Sequence, residues 1–498
     1  MTDAATMTSP LAATPGGSAA GGAPAGHAPA AGAPAGHAPA AGAPAGHAPA
    51  AAPQPGTPQP QAPQPRALPR LLPPGGAAAV PQDLAHHVRS HGPLRCRRAR
   101  RHRSGAGDGL IAEIAAAGLT GRGGAAFPAA TKMTAVATGR RRPVVVGNGA
   151  EGEPASGKDK HLLWLAPHLV LDGLQLAAEA VGARTVYLYV HAGGRLHERL
   201  TFALAERAAA GCDLRPVRLI AGPPRFLAGE ESALVSRIDG GLAMPTFKPP
   251  RSFERGVGGA PTLVQNVETL AHVALIARRG AAWFRQLGTA EEPGSMLTTC
   301  HRADGTTEVA EVAIGTPVAA LLGLGSAPAQ AVLTGGYHGT WLRAADAARL
   351  PLANAPLREA GATVGAGVLA ALPPGRCGLT ETAHVVRYLA AESAGQCGPC
   401  LAGLPRIADA LTHLAGPDPD PRWLTHLRRW SGLVTGRGAC HHPDGTVRFV
   451  RSALTVFEHE ITLHRQRRCS VAGAPSAAGG EPFLPVPAAT PAYSQDWR

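Results

Sequence analysis

PVVVGNGAEGEPASGKDKH, residues 143–161, runs an apolar segment directly into a turn-rich stretch that carries Asn148, Glu151, Glu153, Lys158 and Asp159. A run of valines closed by Gly-Asn reads as a short buried strand, because a parallel strand covered on both faces needs a continuous β-branched run rather than alternation. Polar side chains at the carboxyl end of such a strand stand where open α/β sheets receive their ligands. A helical pattern from Leu169 to Ala180 and a second strand, RTVYLYV, complete one α/β unit.

Working outward, GLTGRGGAAFPAATKM at 118–133 satisfies G-x-G-x-x-A through Gly121, Gly123 and Ala126. That dinucleotide fingerprint has to follow a strand. Here the preceding GDGLIAEIAAAGL has helical periodicity in Leu110, Ile111, Ile114 and Ala115, so the fingerprint reading fails. What is left is a glycine-rich loop opening a helix with Lys132 in its first turns, and exposed backbone N–H groups plus one ammonium suit a phosphate. On the other side, FLAGEESALVSRIDG places Glu230 and Glu231 directly after Gly229 and ahead of a helical pattern, followed by PTFKPP and PTLVQNVETLAHVALIARRGAAWF.

A chain of 498 residues, 45% apolar, has room for two or three domains with real cores. Its eight cysteines are too dispersed for a disulfide scaffold, and nothing at the start reads as a secretory leader. A reducing cytoplasm is the expected setting, which turns clustered cysteines toward metal or redox chemistry. No uninterrupted apolar run has bilayer length, so the protein is expected to be soluble or peripheral to a membrane complex at its inner face. The net charge of +13 would permit nucleic-acid binding, but its densest run, RCRRARRHR at 95–103, lacks interleaved aromatics and is read as a solvated edge. Only four of the 47 cations are lysines, and Lys132, Lys158, Lys160 and Lys248 all lie beside glycine- or proline-rich motifs. In a chain so biased toward arginine, a surviving lysine marks a place where a compact ammonium is needed.

Residues 1–85 are low in complexity, with AGAPAGHAPA repeated from Ala31 and Ala41, and are expected to form a disordered tether. Its spaced His27, His37 and His47 make a poor preformed metal site. Near the other end, ESAGQCGPC at 392–400 holds Cys397 and Cys400, with Cys440 following in GACHHPDG. A bare C-x-x-C also suits a redox disulfide or half a zinc site, whereas a third thiol in a helix-rich region argues for an iron-sulfur cluster. Cys96, Cys212, Cys300 and Cys469 are scattered and are read as ordinary thiols.

Taken together, GLTGRGGAAFPAATK, NGAEGEPASGKDK, AGEESAL, FKPP, QNVETLAHV and QCGPC with Cys440 resemble, in order, the motifs of the flavin-bearing subunit of NADH:quinone oxidoreductase, respiratory complex I. Related subunits occur in NAD-linked hydrogenases and formate dehydrogenases. The resemblance covers about residues 105–465. It implies an α/β FMN- and NADH-binding domain over 86–288, a small β-grasp module of the soluble-ligand-binding type over 289–350, a helical iron-sulfur domain over 375–465 and a flexible tail over 466–498.

By the same resemblance, Gly121, Arg122, Gly123, Gly124 and Lys132 would line the FMN phosphate and ribityl chain together with Asn148, Glu151, Asn266 and Thr269. Gly229, Glu230 and Glu231 would close over the isoalloxazine, while Phe127, Glu153 and Lys248 would meet the nicotinamide dinucleotide. Glu153, Glu230 and Glu231 are the candidate catalytic carboxylates. Cys397, Cys400 and Cys440 would hold the cluster. An NADH dehydrogenase-type oxidoreductase follows, passing electrons from NADH through FMN and the cluster to a ferredoxin-like carrier or a quinone-reducing partner. The alternative is the same scaffold with a degenerate NADH site, an electron-transfer or assembly module that another donor feeds.

Several positions depart from the family pattern. Ala150 stands where an aspartate is usual, and Phe226 replaces a tyrosine. Ala135 and Arg251 replace bulky or aromatic residues that help hold the adenine, a loss of about 1 kcal/mol of stacking each. Ala394 occupies the place of the first cluster cysteine. Ser393, His441, His442 and Cys377 are the candidates for the missing ligand of a four-iron cluster; a three-iron cluster with an open corner is the other outcome.

Overall fold

The computed structural model describes residues 68–76, 79–94, 106–416, 420–471, 482–487 and 497. Among the described residues three helices precede the first strand: α1 (Leu84–His91), α2 (Ala106–Ala117) and α3 (Ala129–Ala137). The valine run then forms β1 (Val144–Asn148), followed by α4 (Lys158–Leu165), α5 (Pro167–Val181), β2 (Thr185–His191), α6 (Gly194–Ala209), β3 (Val217–Gly222), α7 (Glu231–Ile238), β4 (Thr262–Asn266), α8 (Val267–Arg279) and the short α9 (Ala281–Phe284). The strands make a wholly parallel sheet in the order β3-β2-β1-β4. The chain builds outward from β1 through β2 to β3, then returns to the opposite side of β1 as β4. That reversal sets a crevice beyond the carboxyl ends of β1 and β4, where Asn148 is paired in register with Asn266.

Buried helices cover this sheet. α5 is buried along almost its whole length, and α8 crosses it so tightly that a Cβ on Gly173 would lie 2.0 Å from the Leu270 carbonyl oxygen. Only glycine permits that approach.

A second sheet follows, built from β5 (Ser295–His301), β6 (Thr307–Ala313), β7 (Ala331–Thr334), β8 (Thr340–Arg343) and β9 (Val368–Leu372) in the order β6-β5-β9-β7-β8. The short helices α10 (Val318–Leu322), α11 (Ala344–Ala347) and α12 (Asn354–Glu359) lie within its connections. The module therefore reaches to residue 372 rather than stopping at 350. β9 runs parallel to β5 and antiparallel to β7, and without it the two hairpins would not share a sheet.

The last unit is a helical bundle of α13 (Gly378–Ala391), α14 (Leu404–Ala415), α15 (Arg422–Val434), α16 (His442–Val456) and α17 (Glu458–Arg465). Leu389, Ile407, Leu411, Leu427 and Val450 form its buried interior. No helix among the described residues is long and apolar enough to cross a membrane.

Both expected tail boundaries shift. Leu71 is buried in the core around the first sheet, and the Arg70 and Leu71 amides donate to Glu311 at 2.6 and 2.7 Å, so packing begins upstream of residue 86. Past the bundle, Phe483 N donates to Glu381 at 2.9 Å and Leu484 and Trp497 are buried, because these apolar side chains find cavities in the folded body. The repeats with His27, His37 and His47, and the basic run 95–103 with Cys96, lie outside the described residues.

Candidate functional site

The glycine loop spans the crevice between β4 and the second sheet. Arg122 N donates to Thr269 Oγ1 at 2.9 Å, and a Cβ on Gly123 would sit 3.3 Å from Asn266. Gly124 has φ 100° and Ala126 φ 50°, left-handed values that are costly for alanine and typical of backbone held open for a ligand. The Gly123 and Gly124 amides make no hydrogen bond to protein among the described residues. Unpaired amides at a glycine turn fit an anionic group such as the FMN phosphate. A small open cleft adjoins the loop, lined by Gly121, Arg122, Gly124, Ala126, Val364 and Gly365 among others.

Arg122 lines the cleft with its guanidinium held by protein groups. The guanidinium is buried, donating to Thr120 Oγ1 at 2.8 Å and to the Ser295 carbonyl at 3.2 Å. Asn266 and Thr269 are likewise positioning groups. Asn266 caps α8, accepting from Glu268 N at 3.0 Å, and donates to Asp159 at 2.6 Å.

The turn after β1 is densely bonded. Glu151 is buried and accepts from Ser156 Oγ at 2.5 Å, Asp159 N at 3.2 Å and Lys160 N at 3.1 Å, which commits its carboxylate to the start of α4. Burial and the Asp159 charge raise its pKa. Lys158, also buried, reaches Asp159 at 2.7 Å and Glu268 at 2.8 Å. Burial opposes its charge, but Asp159, Glu268 and Glu151 outweigh that and hold the ammonium protonated. Glu153 accepts from Tyr337 N at 2.8 Å and Ala155 N at 3.2 Å, tying the turn to the second sheet. Desolvation lifts Glu153 to about 7, against the pull of those two backbone donors.

Across the crevice, Asn148 Nδ2 donates to the Gly229 carbonyl at 2.8 Å. Glu230 caps α7, accepting from Ser232 N at 2.9 Å and Ala233 N at 3.2 Å, and is also paired with Lys248. Glu231 meets Lys132 at 3.0 Å. Three of the four lysines thus pair with carboxylates around one crevice. Phe127, at 52% exposure, and Phe247, at 73%, present open rings beside it.

The cluster cysteines lie on the neighbouring bundle. Cys400 sits on a π-helical turn, Pro399–Gly403, an irregularity frequent at functional sites. Burial, with Cys397 and Cys440 close by, pushes its thiol up to about 12, and a hydrogen bond from Ser393 opposes this. Burial also raises Cys440, and the charges of Glu230 and Lys248 act on it in opposite directions.

The four candidates for the missing ligand separate clearly. Ser393 hydrogen-bonds Cys400 and accepts from Gly395 N at 3.0 Å. His441 is 96% exposed. His442 is buried with both ring nitrogens engaged, Nδ1 with His338 at 3.0 Å and Nε2 with the Leu389 carbonyl at 2.8 Å. Cys377 belongs to a different group, with Glu460, His464 and Cys469. Cys469 is accordingly not an isolated thiol.

Sequence reasoning missed the partner that completes the buried Lys158–Asp159–Glu268 set, since Glu268 is distant in the chain and only the β1/β4 pairing brings it near. It also missed how crevice and bundle are joined. Phe226 N donates to Glu392 at 2.8 Å, and its ring packs on His338, Tyr388 and His442 at centroid distances of 4.9, 6.1 and 5.7 Å.

Comparison with known proteins agrees with this geometry. Residues 114–275 match the Nuo51 FMN-binding domain and residues 380–464 the NADH-ubiquinone oxidoreductase-F iron-sulfur binding region. The chain is 27% identical over 380 residues to the second F component of NADH-quinone oxidoreductase from Rhizobium meliloti, covering 73% of this chain and 90% of that one. It is 28% identical over 373 residues to the F component of the Streptomyces coelicolor NADH-quinone oxidoreductase, covering 72% and 83%. Among solved structures, an NAD+-reducing NiFe-hydrogenase in its H2-reduced state superposes with TM-score 0.65 at 29% identity, over 73% of this chain and 63% of the hydrogenase chain, less than two thirds of the latter. This chain therefore carries, in order along its sequence, a region that matches the Nuo51 FMN-binding domain and a region that matches the NADH-ubiquinone oxidoreductase-F iron-sulfur binding region.

Proposed function

We propose that the protein takes electrons from NADH onto FMN and relays them singly to an iron-sulfur cluster, for delivery to a ferredoxin-like carrier or a quinone-reducing partner. The observation that carries this reading is the junction of crevice and bundle: Phe226, three residues before Gly229, donates its N–H to Glu392 at 2.8 Å and packs its ring on His442, two residues after Cys440, at 5.7 Å. FMN, when bound, supplies hydride acceptance and one-electron release.

The chain's residues divide the remaining work. The Gly123 and Gly124 amides and Lys132 suit the phosphate end, and Gly229, held by Asn148, lets backbone approach closely. Exposed Phe127 offers a stacking face for the dinucleotide, and Lys248 stands ready to exchange Glu230 for an anionic substrate. Glu153, at about 7, holds or releases a proton near neutrality at the wall formed with Tyr337. Cys397, Cys400 and Cys440 would provide the thiolates of the cluster, and Ser393, hydrogen-bonded to Cys400 and next to Ala394, would be the candidate for its remaining ligand. Electron delivery within the cytoplasm or at the inner face of a membrane suits this arrangement, with no nucleic-acid role.

Anaerobic addition of NADH to the purified chain, followed optically and by EPR, tests the proposal. Flavin bleaching together with a reduced-cluster EPR signal is expected. A flavin that stays oxidised under NADH but bleaches with dithionite overturns NADH as donor and supports the second reading, in which another donor feeds the scaffold. That reading rests on Ala135 and Arg251 in place of the adenine-holding side chains.

A further inference from the structure

Where the start of α13 meets α17 and the segment after it, Cys377, Glu460, His464 and Cys469 bring one ligand atom each within 4.8 Å of one another. Among the described residues no other set of three or more histidine, cysteine or acidic side chains converges so closely, and Cys397, Cys400 and Cys440 do not. Cys377 Sγ lies 3.5 Å from His464 Nε2, which lies 3.2 Å from Glu460 Oε1. A tetrahedral zinc ion with bonds of about 2.3 Å to sulfur and about 2.0 to 2.1 Å to nitrogen or oxygen sets its ligands roughly 3.3 to 3.8 Å apart. The two separations of 3.5 and 3.2 Å lie in or close to that range, and the remaining pairs fall within 4.8 Å.

The chemistry of the donors is equally selective. Two thiols, one imidazole and one carboxylate form a mixed set that suits zinc and not the hard, oxygen-seeking magnesium or calcium. Cys377, Glu460 and His464 are buried. Glu460 and His464 stand one helical turn apart on α17, Cys377 caps the start of α13, and Cys469 follows α17 in the chain, so ligands 83 residues apart in sequence are supplied by three short segments (377 to 460). Two thiolates and a carboxylate leave one net negative charge on a zinc complex, and the amino end of α13 favours it.

We propose that this group is a structural zinc site that pins the end of α17 to the start of α13. Because α13 runs on to Glu392 and the cysteine loop, zinc here would brace the helix from which the cluster loop hangs. It is independent of the proposed redox function, since its four ligands are separate from the residues assigned to the flavin, the dinucleotide and the cluster.

The test uses the full chain, purified anaerobically from zinc-supplemented cells. About one zinc per chain is expected by mass spectrometric metal analysis, retained in a Cys397→Ser/Cys400→Ser variant that loses its iron, and lost in Cys377→Ser/Cys469→Ser. The wild-type protein offers a readout that needs no variant. Cobalt exchanged into the zinc-stripped chain should give the intense visible bands of a tetrahedral ion with thiolate-to-cobalt charge transfer, and Cys377 and Cys469 should resist alkylation until a chelator is added. Absence of zinc and of the cobalt spectrum in the wild type overturns the proposal. So does full retention of zinc in the Cys377→Ser/Cys469→Ser chain, or a Cys377–Cys469 disulfide in the anaerobic protein.

Discussion

The turn after β1 and the loop after α13 both carry reactive side chains inward, yet they are held in opposite ways. In the first, Glu151 collects three donors and Lys158 is matched by Asp159 and Glu268, so protein groups alone satisfy nearly every charge. In the second, the thiols have one another and Ser393 for company, burial works against the ionised forms of Cys400 and Cys440, and Leu401 beside them is 69% exposed. The difference reflects the cofactors. A flavin is gripped by preformed hydrogen bonds, whereas a cluster makes its own bonds, and bound iron is what ionises the thiols.

The largest effect expected on the densely bonded side comes from Lys158→Met. It leaves Asp159 and Glu268 buried without their cation, and stability should fall by about 3 to 5 kcal/mol in denaturant unfolding. A loss under about 1 kcal/mol would show that this turn is not held by its ion pairs. Gly152→Ala probes the link between the two regions, because its Cβ would lie 2.4 Å from the Phe226 carbonyl oxygen. Forcing that segment aside should cost about 1 to 3 kcal/mol and loosen flavin binding, read by flavin retained on gel filtration.

On the cluster side, Ser393→Ala should leave folding nearly unchanged while iron drops by roughly a quarter and a three-iron EPR signal appears. Ala394→Cys should restore a four-iron signal in that background. An unaltered spectrum in Ser393→Ala would remove Ser393 from the coordination sphere.

A further change is a pH effect. Glu153 has a folded pKa of about 7 against an ordinary 4.5, so the folded state binds this proton more tightly. Its stabilising contribution is full below about 4.5 and is lost as pH rises to about 7. Glu153→Gln should remove that slope between the two values, measured as the difference in unfolding free energy from the wild type across the pH series. Parallel curves would mean that Glu153 is already ionised in the fold.

Periodicity and local motifs were enough to read β1, the glycine loop, the cysteine spacing and the α/β class. The boundaries at 85 and 350 moved because Leu71 and β9 are placed by partners far along the chain, Glu311 and β5, that no local window contains. That the Arg122 guanidinium is held by the Ser295 carbonyl, 173 residues away in the chain, was likewise outside any local window.

The chain's letters alone determined that a glycine turn, paired carboxylates and three spaced thiols would be present, since strand composition, turn chemistry and ligand type are local properties. Tertiary structure decided which of them meet. Sheet order set Glu268 on Lys158, the packing of Phe226 joined crevice to bundle, and helix ends brought Cys377 to His464 while leaving Ser393 beside Cys400. Contact across long sequence separations depends on how elements pack, and packing is a property of the whole chain.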